Sequence, residues 1–148
     1  MKIKTFTTKH TKLKLSDGNI SFGTIAEITY RGDLIPGGEI HLKKGQHIGP
    51  NKGFGAEHIW AEHSKEMLKE GFSRIEDVPS YVKQIISSGS AIHCEFERKT
   101  TFYRLAIIRS SKGTAILEFK GQYPNGYYSV VTAFSGNKKH GPKIGTVL

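Results

Sequence analysis

Residues 114–134 read TAILEFKGQYPNGYYSVVTAF. On either side of Gly121-Gln122-Tyr123-Pro124-Asn125-Gly126, apolar and β-branched residues recur with a period of two. The Gly/Pro/Asn cluster between them is a turn signal. The stretch is therefore expected to form two strands, Thr114–Lys120 and Tyr127–Phe134, joined back to back. The same period extends upstream. Residues 91–98 and 101–109 are expected to pair as a hairpin around Lys99-Thr100, and Gly113 leads into the third strand. Four strands with short links are built to pair antiparallel, because a parallel pair needs a long crossover.

Upstream of these strands the period changes to helical. Asp77 is placed as an N-cap, Pro79 in the first turn and Gly89 beyond the end of a short helix. Tyr81, Val82, Ile85 and Ile86 supply its apolar side. A longer helix is expected from about residue 55 to Glu70, closed by Gly71. At 100° per residue, Ile59, Trp60, His63 and Met67 fall on one side of it and His58, Glu62 and Lys65 on another. Residues 31–55 read as loop, punctuated by Pro36-Gly37-Gly38 and Gly49-Pro50-Asn51-Lys52-Gly53. Ile20–Tyr30 reads as a short strand, and residues 1–19 as a basic arm or a further strand. The expected fold is α+β: two helices from the N-terminal half packed on a four-stranded antiparallel sheet, with a loop-rich basic arm. Residues 1–36 form the arm or extra strands, and residues 37–148 the functional domain.

Composition narrows the partners. The chain has 148 residues with 22 Lys+Arg against 13 Asp+Glu, a formal net charge of +9. A small domain so basic is suited to an anionic partner, most simply nucleic acid. The alternative is a basic surface kept for solubility. A single cysteine, Cys94, excludes an internal disulfide and a cysteine-rich zinc site, and its apolar-polar context suggests a buried, inert thiol. No apolar run approaches the ~20 residues of a membrane-spanning helix. The basic N-terminus lacks the apolar core of a signal peptide, so a larger parent chain would have to carry any export signal.

The chemistry-bearing residues cluster in Gly53-Phe54-Gly55-Ala56-Glu57-His58-Ile59-Trp60-Ala61-Glu62-His63. His58 and His63 are five residues apart, about 140° around a straight helix, so they do not converge on one ion as an i, i+4 pair would. The His-Glu-x-x-His zinc pattern is absent, and no metal or other cofactor is expected. His58 sits at the helix start, where the macrodipole favours its neutral form and attracts anions. It is a candidate general base; the plain alternative is an exposed histidine paired with Glu62. His63 lies in the apolar stripe, so a hydrogen-bonded core histidine stands beside a catalytic reading. Arg104, Thr132, Ser135, Lys138 and Lys139 read individually as a surface charge, strand-end residues and a solvated tail. They gain weight if the last of the four strands lies beside the longer helix. Lys43, Lys44 and Lys52, in the glycine-punctuated loop, are candidate phosphate contacts.

The series Gly-Phe-Gly-x-x-His58-Ile59-x-x-x-His63, two helices, then strands ending in Tyr128-Ser129-Val130-Val131-Thr132-Ala133-Phe134, resembles the barnase/EndoU/colicin/RelE-like ribonucleases over roughly residues 37–137. More narrowly, it is similar to the C-terminal nuclease domains of contact-dependent inhibition (CdiA-type) and other polymorphic toxins. The resemblance implies a metal-independent endoribonuclease, often a tRNase, acting in the cytoplasm of target bacteria and neutralised by a cognate immunity protein. By position it places catalytic roles on His58, His63 and Thr132. Arg104 and Lys138 compete for the basic role. A non-catalytic RNA-binding module is the alternative, and a metal-dependent DNase a third reading.

Overall fold

The computed structural model describes residues 8–94, 105–136 and 141–148. Arg104, Lys138, Lys139 and the expected turn at Lys99-Thr100 lie outside the described residues. The strands are β1 (Thr24–Ile25), β2 (Ile28–Tyr30), β3 (Asp33–Ile35), β4 (Gly38–His41), β5 (Gln46–Gly49), β6 (Lys52–Phe54), β7 (Ala91–His93), β8 (Leu105–Ser110), β9 (Gly113–Lys120), β10 (Tyr127–Phe134) and β11 (Lys143–Thr146). The helices are α1 (Gly55–Lys69) and α2 (Val78–Ile85).

The four-stranded sheet expected from sequence is incorrect. The structure is a mixed α/β fold dominated by one seven-stranded sheet in the order β1-β4-β10-β9-β8-β7-β11. Its edges nearly meet: past the end of β11, Leu148 N–H donates to Thr24 O in β1 at 3.0 Å. The sheet thus curls toward a barrel instead of lying open under two helices. Two further hairpins, β2–β3 and β5–β6, stand outside it. The physical reason for the miss is local. The strands added to the sheet, β1, β4 and β11, are two to four residues long and mix isoleucine with Gly, Thr and charged residues, too short to show a clear period of two. The pairing of β4 with β10 is parallel and joins residues some 90 apart, which no short-range pattern encodes.

The C-terminal strands follow the sequence more closely. The β8–β9 and β9–β10 pairs are antiparallel, with Ile107 opposite Ile116 and Tyr128 opposite Phe119. Register in β10 shifts between Val130 and Thr132, so Val131 is an extra, bulged residue. The bulge has a consequence for the site. Tyr128, Val130 and Ala133 face the core, whereas Tyr127, Ser129, Thr132 and Phe134 share the opposite, outer face. Without it, Thr132 would point into the core beside Val130.

The core lies between the inner sheet face and the helices. Ile40, Leu42, Tyr128, Val130, Leu117, Ala115 and Ile108 pack with Ile59 and Met67 of α1 and Val78, Tyr81, Val82 and Ile85 of α2, all essentially buried. Phe22, Ile25 and Ile35, from the expected arm, are buried as well. Helix α1 stops as expected: Phe72 N–H reaches Met67 O and Gly71 N–H reaches Leu68 O, with Gly71 at φ +91°. Asp77 occupies the N-cap position of α2 as expected, but its side chain makes no capping bond to that helix. Its carboxylate accepts from the Ser73 and Arg74 amides and closes the preceding turn instead. Cys94 is buried. No helix among the described residues is long and apolar enough to cross a membrane.

Candidate active site

Helix α1 begins where the β5–β6 hairpin folds back on it. Gly53, at φ +137°, makes this possible: a Cβ there would lie 2.9 Å from His58 Nδ1 and collide with Gln46 O. The hairpin therefore sits directly on the first turn of α1 and covers His58, which is 3% exposed. His58, a candidate base from sequence with an exposed histidine paired with Glu62 as the alternative, is in fact buried. The histidine that faces solvent is His47, on β5.

His47 Nδ1 and His58 Nδ1 are 3.0 Å apart. Their rings are nearly parallel, inclined by 25°, with centroids 5.2 Å apart. That centroid separation is close to the largest that two rings joined by such a contact can have. The two nitrogens consequently point at each other, as in one N–H···N hydrogen bond. Glu62, one helical turn beyond His58, completes the cluster, and the ligand atoms of all three residues lie within 4.8 Å of one another. Glu62 is itself held by the Asn51 amide, N–H to Oε2 at 3.1 Å, which ties the hairpin tip to α1. Two imidazoles and a carboxylate are a donor set for a zinc-like ion. Binding one would require the rings to turn until both lone pairs met at a common point.

Burial is the main reason that His58 is held below its ordinary pKa. Glu62 opposes the shift, and the neighbouring His47 and His63 add to it. Burial thus favours the neutral form of His58, whose Nδ1 shares one hydrogen bond with His47.

His63 lies farther along α1, at a kink where its backbone leaves helical geometry (φ −128°, ψ 16°). The kink spoils the straight-helix angle of 140° expected between the two histidines. His63 Nδ1 is 2.6 Å from Glu66 Oε2, and its ring packs on Phe134 of β10 at 5.5 Å. The Ser135 amide donates to Glu66 at 2.8 Å, and the Ser135 hydroxyl binds Glu70 and Tyr81. Helix α1 therefore runs alongside β10, the adjacency on which the sequence reading depended.

The structure sorts the remaining candidates. Thr132 is on the outer face of β10, and its buried Oγ1 has no partner among the described residues. Ser135 is fully committed to binding α1 and α2 together, so substrate binding falls to other groups. Lys44 pairs with Glu57 at 3.6 Å and lines a cavity of about 360 Å³ with Ala56 and Pro79. Lys52 is exposed at the start of β6, and Lys43 is buried on β4's continuation. His47 was missed because it lay in an apparent loop. Its signal was the glycine spacing around it, Gly45-Gln46-His47-Ile48-Gly49 and then Gly53-Phe54-Gly55, which marks close backbone approach. Comparison with protein families, characterised proteins and solved structures returned no match.

Proposed function

We propose that the chain is a metal-independent endoribonuclease that cleaves by attack of the substrate's 2′-OH and leaves a 2′,3′-cyclic phosphate. The observation that carries this reading is the hydrogen-bonded His47–His58 pair backed by Glu62. It divides the labour between an exposed ring and a buried one. His47, donating through Nδ1 to His58, leaves its Nε2 lone pair free to take the 2′-OH proton. His58 is kept neutral by burial and fixes that tautomer. The charge that arrives on His47 is then shared toward Glu62.

Departure of the 5′-oxygen needs an acid, and His63, paired with Glu66 and partly exposed, is the nearest further histidine on the helix. The unpaired hydroxyl of Thr132 is buried, so donation to a non-bridging oxygen of the phosphorane requires that the substrate uncover it. The formal charge of +9 supports a polyanionic substrate. The choice of tRNA, action in the cytoplasm of a target bacterium and an immunity protein as partner rest on the resemblance in residues 53–63. The four-stranded frame of that resemblance does not hold for this chain, so the reading stands on the site's chemistry.

The test is incubation of the purified protein with total tRNA in EDTA. Discrete fragments ending in cyclic phosphate are expected. Retarded but intact RNA would replace this reading with that of a non-catalytic RNA-binding module, and cleavage that stops in EDTA would remove the metal-free mechanism.

A further inference from the structure

The outer face of the sheet carries a second polar cluster, made of residues other than the His47–His58 pair and built on β4 and β10. His41 and Ser129 stand opposite each other in the parallel β4–β10 pair. His41 is 5% exposed and Ser129 2% exposed, yet His41 Nδ1 and Ser129 Oγ have no hydrogen-bond partner among the described residues. Leaving such atoms dry and unpaired is costly. Lys43, two residues beyond His41, is 6% exposed. Lys12 faces it across a β-bridge. Both ammonium groups crowd one aromatic ring, with Lys12 Nζ 4.3 Å and Lys43 Nζ 5.1 Å from the centre of Tyr127. The His41 ring lies 5.1 Å from the same ring.

Charge here is unbalanced. Two lysines set opposite each other repel. Among the described residues neither pairs with a carboxylate. The one carboxylate bound to the cluster, Glu39, contacts His41 Nε2 at 3.0 Å and is itself mostly exposed. A buried ammonium facing a second ammonium and an imidazole is costly unless an anion joins it.

The geometry points to a phosphate-binding subsite made by Lys12, Lys43, His41 and Ser129 around Tyr127. On the endoribonuclease reading, from which it takes the identity of its ligand, it holds a phosphodiester of the RNA flanking the cleaved bond. Lys12 and Lys43 supply charge, the Ser129 hydroxyl donates to one oxygen, and His41 Nδ1 donates when the ring carries both protons. Glu39 already accepts from Nε2, which leaves Nδ1 as the atom free for the ligand. Thr132 lies on the same face of β10, three residues beyond Ser129.

The test separates binding from cleavage by using a single-stranded 2′-O-methyl RNA 12-mer, which lacks the attacking hydroxyl. Its affinity is measured against salt for the wild type, Lys12→Ala, Lys43→Met and the exposed-helix control Lys65→Ala. Each cluster variant is expected to weaken binding several-fold and to lower the slope of log K against log salt by about 0.7, the value for one lost phosphate contact on a single strand. Lys65→Ala should retain the wild-type slope. Lys43→Met keeps the buried stem, and Lys12→Ala carries the test if that variant fails to fold. Unchanged slopes in both, losses no larger than in Lys65→Ala, or no binding of the 12-mer by the wild type would overturn the subsite. A wild type that binds the 12-mer in this lysine-dependent way but leaves ordinary RNA intact would overturn the catalytic reading alone.

Discussion

The roles of the two contacting histidines differ because their exposure differs. His47 is exposed and His58 is buried against it, so on the proposed reading His47 meets the substrate and His58 acts through it. Replacing His47 with Ala is expected to reduce tRNA cleavage by 10²–10⁴-fold, the usual worth of a general base, with the circular dichroism spectrum unchanged. His58→Gln should lower kcat more than it raises KM, since it misaligns the base without touching RNA. A rise in KM alone would mean that the pair merely shapes a binding surface. The same burial has a stability signature. The folded state lowers the His58 pKa from 6.5, so on acidification the unfolded chain binds its proton first. The stability that follows is complete above about pH 6.5 and declines as pH falls below it. Urea midpoints between pH 7.5 and 5 should therefore fall less steeply in His58→Gln than in the wild type; parallel curves would contradict the assignment. At this scale the sequence revealed His58, His63 and Thr132 as candidates. It hid His47, because the contact that gives His47 its role spans 11 residues and two elements.

Helix α1 is held by its two ends. At the first turn the β5–β6 hairpin closes over His58 through Gly53; at the last turns Glu66 and Glu70 bind Ser135 at the end of β10. Gly53→Ala should force the hairpin off the helix, reduce cleavage strongly and leave the rest of the fold in place, as amide exchange protection of β8–β10 would show. Tyr81, whose hydroxyl contacts Ser135, has its pKa pushed up to about 12 chiefly by burial, so the phenol remains protonated and able to donate across the working pH range. Ser135→Ala removes the hydroxyl that links Tyr81 to Glu70, while the backbone amide of residue 135 keeps its bond to Glu66. A loss of about 1–3 kcal/mol in thermal or chemical unfolding is expected, and no loss would show the link to be incidental. The helices were legible because caps, prolines and apolar stripes act within a few residues. The start and the Schellman end of α1 follow directly from Gly53-Phe54-Gly55 and Gly71. The kink at His63 was not legible, since it lies where the helix packs on Phe134, a residue remote in sequence.

The whole molecule is a nearly closed sheet in which segments remote in sequence complete one another. Strand β1 joins β4, the chain's last residues return to β1, and Phe22, Ile25 and Ile35 are buried in the structure. A chain beginning at residue 37 should therefore lose cooperative unfolding, in contrast to what a dispensable arm would allow. This scale was the least legible: β9 and β10 could be read from their period of two, but closure depends on pairings between short, polar strands. The bulge at Val131, also unseen in the sequence, decides that Thr132 joins the outer face and not the core. The central claim is that this frame presents His47, backed by His58 and Glu62, to RNA as a metal-free base. The most direct measurement is tRNA cleavage in EDTA by the wild type and His47→Ala, with the fragment ends identified. The account predicts fragments with 2′,3′-cyclic phosphate ends from the wild type and almost none from the variant. Intact tRNA with the wild type, or equal cleavage by both proteins, would contradict it.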